Sequence, residues 1–440
     1  MANARQTAFN ALLKIEKNNA YSNIALDSML TETKLDTRDK SFVSALFYGV
    51  IERKLTIDYV LQKYLSKPIK KLKPEALTIL RMGAYQILFM DKIPKSAAVN
   101  ESVTLSKKNG CTYASGIINA VLRKVTKNDL EVSDKSDFIK YLSVKYSCPE
   151  KLVGMLIKQY GNENAEGILS ETVGSAELYI RVNTTKISDD ELIRTLSEED
   201  VNAKQTSLKN ALILELNGKD VESLDSFRKG LFHVQDLSCQ LCASALRAEK
   251  GMRIFDMCSA PGGKAYTIAE IIDDNGEVLC FDIHKSRVDL IKNGAERLGL
   301  KSIDARVSDA SVYNESIGLA DRVLCDVPCS GLGIIRRKPE IKYKDLNEFA
   351  SLPDIQLEIL KNSSRYLKNG GIIVYSTCTL SKAENEQVCE KFLNDNNSFE
   401  AIQALPELSD EKYITLMPHI NGGDGFFIAA FRKKDDTNEN

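Results

Sequence analysis

Two cysteines of this chain follow apolar segments that are typical of buried β-strands. Cys329 lies in the sequence Asp326-Val-Pro-Cys-Ser-Gly, and Cys378 lies in Tyr375-Ser-Thr-Cys. A single buried cysteine is usually an inert apolar residue. Two cysteines at strand ends, one of them beside an Asp-Pro turn, favour a chemical role instead, because a thiolate there can bond covalently to an electron-poor carbon.

A glycine-rich segment, DMCSAPGGK, joins an earlier apolar strand to a helix at residues 256–264. Glycines at such a turn let the backbone approach a ligand, and the helix N-terminus presents free N–H groups to it. The segment matches neither GxGxxG nor GxxxxGK[ST]. Asp282 ends the next strand, twenty positions after Gly262, where a carboxylate can accept ribose hydroxyls. Asp309 follows a third strand and can bond an adenine amino group, so the three positions together predict an adenosine-bearing cofactor.

Four ordered motifs across residues 231–433 resemble those of the Sun/Fmu family of RNA (cytosine-5) methyltransferases. They are DMCSAPGGK, DVPCSGLGIIRRKPEIKY, YSTCTLSKAENE and the terminal DGFFIAAFRK. In that family the Cys of the TC motif is the nucleophile and the Cys of the PC motif aids product release. The resemblance therefore implies that Cys378 attacks the base and that Cys329 assists release. It also implies that S-adenosylmethionine is bound by Cys258, Ser259, Ala260, Pro261, Gly262, Gly263, Lys264, Asp282, Arg287, Asp309 and Asp326.

Methylation of cytosine at carbon 5 explains the need for a thiolate. Carbon 5 is a poor nucleophile, but addition of sulfur to carbon 6 turns it into an enamine carbon that can attack a methyl sulfonium. A carboxylic group near N3 and the exocyclic amine holds the developing charge, which is a role for Asp326. A further group must assist loss of the C5 proton and of the enzyme sulfur, and Cys329 can serve that step.

The N-terminal part resembles the antitermination factor NusB in RDKSFVSALFYGVIERK, LRMGAYQILFMDKIPKSAAVNES and GIINAVLRK. A NusB-like domain in front of a Sun/Fmu domain is the arrangement of bacterial enzymes that methylate 16S ribosomal RNA. This resemblance implies ribosomal RNA, and not DNA, as the partner. One departure is Ala265-Tyr266, where small hydroxyl residues are commoner after the GGK.

The periodicity of apolar residues predicts three domains. Apolar residues recur at helical spacing up to about residue 125, with Pro74 at a helix start and Asp36 and Ser41 as caps. We therefore expect an all-α NusB-like domain over residues 1–138. A helical stretch ending near Tyr160-Gly161, followed by a small α+β unit of β-α-β type, fills 139–230. Alternating strands and helices over 231–435 predict an α/β doubly wound, Rossmann-like methyltransferase domain with a parallel sheet.

The charge is unevenly distributed. The net charge is −2, but residues 1–140 carry +9 and the remainder carries −11. A basic N-terminal part suits a polyanion, since phosphate contacts supply most non-specific nucleic-acid affinity. A solvated basic helix surface explains the same numbers equally well. The same two explanations apply to the basic residues after the PC motif. They contact RNA phosphates or form a solvated surface cluster, and they are Arg336, Arg337 and Lys338.

Composition indicates a soluble globular protein. No stretch is long and apolar enough for a membrane span or a secretory signal, so we expect a cytoplasmic monomer that does not bind membranes. Cys239 and Cys242 form a lone CxxC in a chain with three histidines. Two core-facing thiols on a helix therefore suit this pair better than a zinc site, and no metal is expected.

Two other classes of function compete with this interpretation. One is an RNA-binding, antitermination-like scaffold with a vestigial methyltransferase domain, but a decayed site should be missing some of Lys264, Asp282, Cys329 and Cys378. The other is a methyltransferase that acts on protein or DNA. DNA cytosine-5 enzymes attack with the cysteine of the PC motif, so the identity of the attacking thiol distinguishes this class.

Overall fold

The computed structural model describes residues 4–18, 26, 29–30, 33 and 35–435, so the first three residues and most of residues 19–34 of the predicted 1–138 domain lie outside the described residues. The described chain forms two compact units. One contains the residues up to Gly174 together with Ile335–Leu346, and the other contains Ser175–Ile334 and the chain from Asn347 onward. Within the described part of the chain, each helix is too short or too polar to cross a membrane.

The first unit is helical. Its helices are α1 (Ala4–Asn18), α2 (Thr37–Glu52), α3 (Lys54–Gln62), α4 (Pro74–Phe89), α5 (Lys95–Lys108), α6 (Ser115–Lys124), α7 (Phe138–Tyr146) and α8 (Glu150–Ser170). Their apolar faces meet in one core, which buries large side chains such as Phe47, Ile57, Leu80 and Leu122.

Two of the three predicted helix signals in this unit are confirmed. Pro74 is the first residue of α4, where the missing N–H costs no hydrogen bond. Asp36 is the N-cap of α2, and its carboxylate accepts a hydrogen bond from the backbone N–H of Asp39. The prediction for Ser41 is wrong. Because Asp36 already caps the helix, Ser41 lies inside α2, and its hydroxyl donates to the carbonyl of Thr37.

The helical stretch predicted to end near Tyr160-Gly161 is interrupted there but continues beyond it. Gly161 has φ 78° and ψ 172° inside α8, a conformation that costs glycine little. Helical turns then resume as far as Ser170.

A segment from the catalytic half of the sequence packs into this helical unit. Lys342 is buried, and its ammonium donates to the carbonyl of Glu52 at 2.7 Å. The Tyr343 hydroxyl donates to the carbonyl of Ile51 at 2.8 Å. Both groups satisfy carbonyls at the C-terminus of α2 that the helix leaves unpaired. The segment 335–346 is therefore fixed by the end of a helix.

The second unit begins with a small antiparallel sheet. Its strands β1 (Leu178–Val182), β2 (Asn202–Gln205), β3 (Ala211–Glu215) and β4 (Phe232–Val234) take the order β2-β3-β1-β4, with α9 (Asp189–Glu198) between β1 and β2 and α10 (Asp225–Arg228) before β4. The predicted β-α-β unit contained β1, α9 and β3 only. The sequence of β2, Asn-Ala-Lys-Gln, is mostly exposed and has no apolar alternation to mark it.

A larger sheet carries the rest of the unit. Its order is β10-β12-β9-β8-β5-β6-β7, and β11 pairs with β12. The strands are β5 (Arg253–Asp256), β6 (Glu277–Asp282), β7 (Ile303–Val307), β8 (Ala320–Asp326), β9 (Leu367–Thr377), β10 (Phe399–Ile402), β11 (Tyr413–Leu416) and β12 (Phe426–Lys433). The associated helices are α11 (Leu237–Ser244), α12 (Gly263–Ile271), α13 (Lys285–Leu298), α14 (Leu352–Ser364), α15 (Glu386–Asp395) and α16 (Pro418–Asn421).

The predicted doubly wound sheet is confirmed with one correction. Strands β5 to β9 pair in parallel, whereas β10, β11 and β12 join antiparallel, so the sheet is mixed and the terminal DGFFIAAFRK strand is not parallel. Alternate strand residues enter two cores, one on each face: Ile254 and Val278 pack on one side, Phe255 and Leu279 on the other. Burial of both faces explains the nearly continuous apolar runs of these strands.

The Cys239-Cys242 pair lies on α11 and faces the core, as predicted. Cys242 is fully buried in the cluster on one face of the large sheet, and Cys239 packs against the same cluster. Burial raises the pKa of the Cys239 thiol to about 12. Both residues therefore act as small apolar side chains at neutral pH.

Candidate functional site

The glycine-rich turn lies between β5 and α12. Gly262 has φ 108°, and a Cβ at this position would lie 2.4 Å from the hydroxyl of Tyr266, so only glycine fits. Tyr266, the departure from the family pattern, supports the turn from behind. Its hydroxyl lies 3.0 Å from the carbonyl oxygens of both Pro261 and Ile291. The turn leads into a helix whose first N–H groups have no intrahelical partner. Its predicted cofactor-binding residues precede that helix or lie in its first turn: Cys258, Ser259, Ala260, Pro261, Gly262, Gly263 and Lys264.

Asp282 and Arg287 connect the next strand end to this turn. Asp282, at the end of β6, is buried, and one of its oxygens accepts the backbone N–H of His284 at 3.0 Å. Its other oxygen lies 3.3 Å from the Arg287 guanidinium, which also donates to the Ala260 carbonyl. The strands β5, β6 and β7 are parallel neighbours, so their carboxyl ends share one edge of the sheet.

Asp309 follows β7 at the same edge but is exposed. One carboxylate oxygen accepts both the N–H and the hydroxyl of Ser311, at 2.9 and 2.7 Å. This is the local turn geometry that aspartate commonly adopts. The second oxygen points to no described partner and leaves one acceptor for a ligand.

An ion pair lies beside the turn. The Lys264 ammonium is 2.7 Å from Asp326, which ends β8, and the second oxygen of Asp326 accepts the Ser376 hydroxyl at 2.9 Å. Burial acts to lower the pKa of Lys264, but the neighbouring Asp326, Cys239 and Cys242 together outweigh it and raise that pKa well above its usual range. Asp326 is therefore held in one orientation by two donors.

The two thiols predicted to act together are adjacent. The sulfurs of Cys329 and Cys378 lie 3.2 Å apart, and both residues are partly exposed. Their turns are joined by the N–H of Gly333, which donates to the Cys378 carbonyl at 2.9 Å. The hydrogen bond with Cys329, together with burial, raises the pKa of Cys378 well above its usual value, and Lys264 opposes this shift.

Asp256 was not predicted as a site residue. It ends β5, is buried, and neither carboxylate oxygen has a hydrogen-bond partner among the described residues. Burial raises its pKa to about 7. A strand-terminal carboxylate directly before the glycine-rich turn was the available signal in the sequence.

The basic residues after the PC motif are partly engaged. Arg336 forms an ion pair with Glu171 at 3.0 Å within the helical unit, while Lys338 is exposed. Their contact with RNA phosphates stays a prediction.

A doubly wound sheet with a glycine-rich turn after its first strand, and paired thiols at the ends of two others, defines a Rossmann-like methyltransferase. The chain belongs to the 16S rRNA methyltransferase RsmB/F family, whose model matches residues 243–432. The model of the NusB family matches residues 2–127, and that of a ferredoxin-like domain of RsmF/B-type methyltransferases matches residues 148–221. The predicted fold class, with a helical NusB-like domain, a small α+β domain and a methyltransferase domain, is confirmed.

Relatives extend over the whole chain. A Bacillus subtilis protein named "Probable ribosomal RNA small subunit methyltransferase B" is 36% identical over 98% of each sequence. The solved structure of PH0851 superposes with a TM-score of 0.78 over 98% of this chain and 99% of that one, at 23% identity. The structure of NSun6 from Pyrococcus horikoshii with SFG superposes with a TM-score of 0.59 over 66% of this chain and 99% of that one, also at 23% identity. Both superpositions show the shared fold.

Proposed function

We propose that this protein transfers a methyl group from S-adenosylmethionine to carbon 5 of a cytosine in 16S ribosomal RNA, with Cys378 as the nucleophile. The observation that carries this proposal is the pair of sulfurs, 3.2 Å apart, beside the ion pair of Lys264 and Asp326. Family membership and the name of the Bacillus relative support ribosomal RNA as the substrate.

The residues around the glycine-rich turn fit an adenosine-bearing cofactor. Asp256, the Ser259 hydroxyl and the Gln235 amide nitrogen are buried without hydrogen-bond partners among the described residues. A Cβ on Gly263 would lie 3.6 Å from that Gln235 nitrogen, so the amide borders the start of α12. Unpaired buried polar groups are costly unless a ligand satisfies them. S-adenosylmethionine supplies the electrophilic methyl group when it is bound, and the NSun6 structure with SFG, an analogue of it, supports this choice.

The side chains divide the chemistry between addition and release. The Cys378 sulfur bonds to carbon 6, and the electron pair of the C5–C6 double bond moves away from the sulfur toward N3 and the exocyclic amine. Asp326, held by Lys264 and Ser376, relays to N3 the proton that the Cys378 thiol gives up, which neutralises the negative charge that develops there. Carbon 5, now nucleophilic, takes the methyl group, and the electron pair of the broken S–CH₃ bond would stay on the sulfur of the donor, which leaves as a neutral thioether.

Release reverses the addition. The C5 proton passes to the Cys329 sulfur, the electrons of the C5–H bond restore the C5–C6 double bond, and the S–C6 bond breaks with its electron pair returning to Cys378. Cys329, whose sulfur is 3.2 Å from that of Cys378, can exchange a proton with the leaving sulfur. The net change replaces one proton by one methyl group.

Single cysteine variants test the assignment. Each variant is incubated with 16S rRNA transcript and S-adenosylmethionine and resolved under denaturing conditions. Cys329→Ala should accumulate a protein–RNA adduct because release is blocked, whereas Cys378→Ala should form none. The Cys111→Ala variant, which changes a buried cysteine of the helical unit far in sequence from both motifs, serves as a control and should turn over without an adduct. An adduct in Cys378→Ala and none in Cys329→Ala would reverse the two roles.

A further inference from the structure

Two buried polar residues lie behind the thiols and have no part in the chemistry above. Glu384 is 2% exposed and Asn385 is fully buried. They follow the turn that carries Cys378 and precede α15. A buried carboxylate is expensive unless several donors satisfy it, so the identity of its donors indicates its purpose.

Two of the donors to Glu384 come from the turn that carries Cys329. One carboxylate oxygen accepts the backbone N–H of Ser330 at 2.8 Å, and the other accepts the Ser330 hydroxyl at 2.6 Å. The Gln356 amide adds a third bond at 3.0 Å. The Ser330 hydroxyl also lies 2.7 Å from that of Thr379. The residue after Cys329 is therefore tied to the residue after Cys378.

Asn385 binds the other turn on both sides of its cysteine. Its side-chain oxygen accepts the Thr377 hydroxyl at 2.6 Å, and its NH₂ group donates to the Thr379 carbonyl at 3.0 Å. Thr377 and Thr379 are the neighbours of Cys378 in the chain. A single amide thus fixes the chain at both flanks of the nucleophile.

We infer that Glu384 and Asn385 are positioning residues that hold the Cys329 and Cys378 sulfurs within reach of each other. This inference rests on the proposed roles of the two thiols. Neither residue need touch the base. Their effect passes through Ser330 and through the two threonines, and a displacement of about 1 Å in a reacting group can cost on the order of a hundredfold in rate.

Glu384→Gln and Asn385→Ala test the inference, with Glu386→Gln as the matched control. In the Gln variant one oxygen is replaced by an NH₂ group that must face donors already present. Glu386 is two residues away, half-buried, and no hydrogen bond joins its side chain to either cysteine turn among the described residues. Tight binding of S-adenosylmethionine by calorimetry, within about twofold of the wild type, verifies that each variant is folded.

The first readout needs no RNA. Diamide accepts two electrons and two protons from a pair of thiols and leaves a disulfide, and mass spectrometry measures the Cys329–Cys378 linked peptide over time. We expect this linkage to form about tenfold more slowly in Glu384→Gln and Asn385→Ala and at the wild-type rate in Glu386→Gln. Wild-type linkage rates in both test variants would overturn the inference.

The second readout is methylation of a 16S rRNA transcript. We expect kcat to fall by about 10- to 100-fold in the test variants while KM for S-adenosylmethionine is unchanged. A merely structural role would instead move the cofactor KM together with kcat. If Cys329→Ala forms no adduct, the proposed function fails, and the diamide rates still decide whether these residues position the thiols.

A gentler variant covers the case in which Glu384→Gln does not fold. Ser330→Ala removes one hydroxyl donor to Glu384 and leaves the backbone N–H donor in place. A severalfold slower disulfide linkage in this variant supports the inference, and an unchanged rate contradicts it.

Discussion

The acidic residues at the carboxyl edge of the sheet differ in what balances their charge. Asp326 has the Lys264 ammonium at 2.7 Å, and Asp282 has the Arg287 guanidinium at 3.3 Å. Asp309 is exposed and bonded to its own turn, while Asp256 is buried with no partner among the described residues. The four carboxyls therefore present four different surroundings at one edge of the sheet.

Asp256→Asn should stabilise the protein at alkaline pH. The pKa of Asp256 is raised to about 7, above the usual value for aspartate, so its contribution to stability is fully present below about pH 4. That contribution is lost as the pH rises through about 7. The free energy of unfolding of the variant relative to wild type should therefore increase by about 1.4 kcal/mol per pH unit from pH 5 to about pH 7, and stay constant from there to pH 8. Urea unfolding measures it.

The matched change Asp410→Asn, at an exposed position, should leave the pH profile of stability unaltered. A pH-independent difference between Asp256→Asn and wild type would contradict a buried carboxyl that titrates near neutrality.

Asp282→Ala should weaken binding of S-adenosylmethionine. A charged acceptor is worth roughly 1.5–3 kcal/mol, which corresponds to about ten- to a hundredfold in affinity. Titration calorimetry measures the change, and Asp289→Ala, an exposed position on α13, should bind like the wild type. If Asp282→Ala binds S-adenosylmethionine as tightly as the wild type, Asp282 does not bind the ribose.

At the scale of elements, predictability follows burial. The strands β5, β6, β8 and β9 have both faces covered, and their apolar runs made them visible in the sequence, whereas the edge strand β7 is mostly exposed. Strand β2 is exposed and polar, and it is a strand because its backbone pairs with the edge of β3. The antiparallel direction of β12 is set by tertiary pairing with β9, and no local pattern distinguishes it from a parallel strand. The cysteine turns were predictable for a different reason, since their motifs have chemical meaning.

The helical unit depends on a segment that sequence patterns assigned to the catalytic domain. Lys342→Ala should lower its free energy of unfolding by about 1–3 kcal/mol, because the Glu52 carbonyl is left without a buried donor. Hydrogen exchange of the α2 amides during a denaturant titration measures this free energy. The control Lys338→Ala removes an exposed lysine of the same segment and should be nearly neutral. Equal stability of the two variants would show that the hydrogen bond from Lys342 to Glu52 contributes nothing.

At the scale of the whole molecule, the net positive charge lies in the N-terminal part of the chain. Residues 1–140 carry +9, against −11 for the rest. We propose that these residues bind ribosomal RNA through its phosphates, which positions a substrate without altering chemistry at the base. Deleting them would also remove the α2 carbonyls that anchor Lys342 and Tyr343. Charge substitutions in the intact chain are therefore the better test.

Four lysines of the helical unit are suited to this test: Lys70, Lys71, Lys107 and Lys108 are exposed and form no ion pair with any described residue. Changing all four to Gln should weaken binding of a 16S rRNA transcript. The slope of log K against log salt should fall by about 0.7–0.9 for each phosphate that the variant no longer neutralises. Affinity for S-adenosylmethionine should not change, because the turn and Asp282 lie in the other unit.

The matched control changes four exposed lysines of that other unit and so alters the net charge equally: Lys209, Lys292, Lys301 and Lys412. If affinity and slope fall by the same amount in the two quadruple variants, the effect is one of overall charge. The helical unit would then not bind RNA, and a protein partner becomes the better explanation of its basic surface.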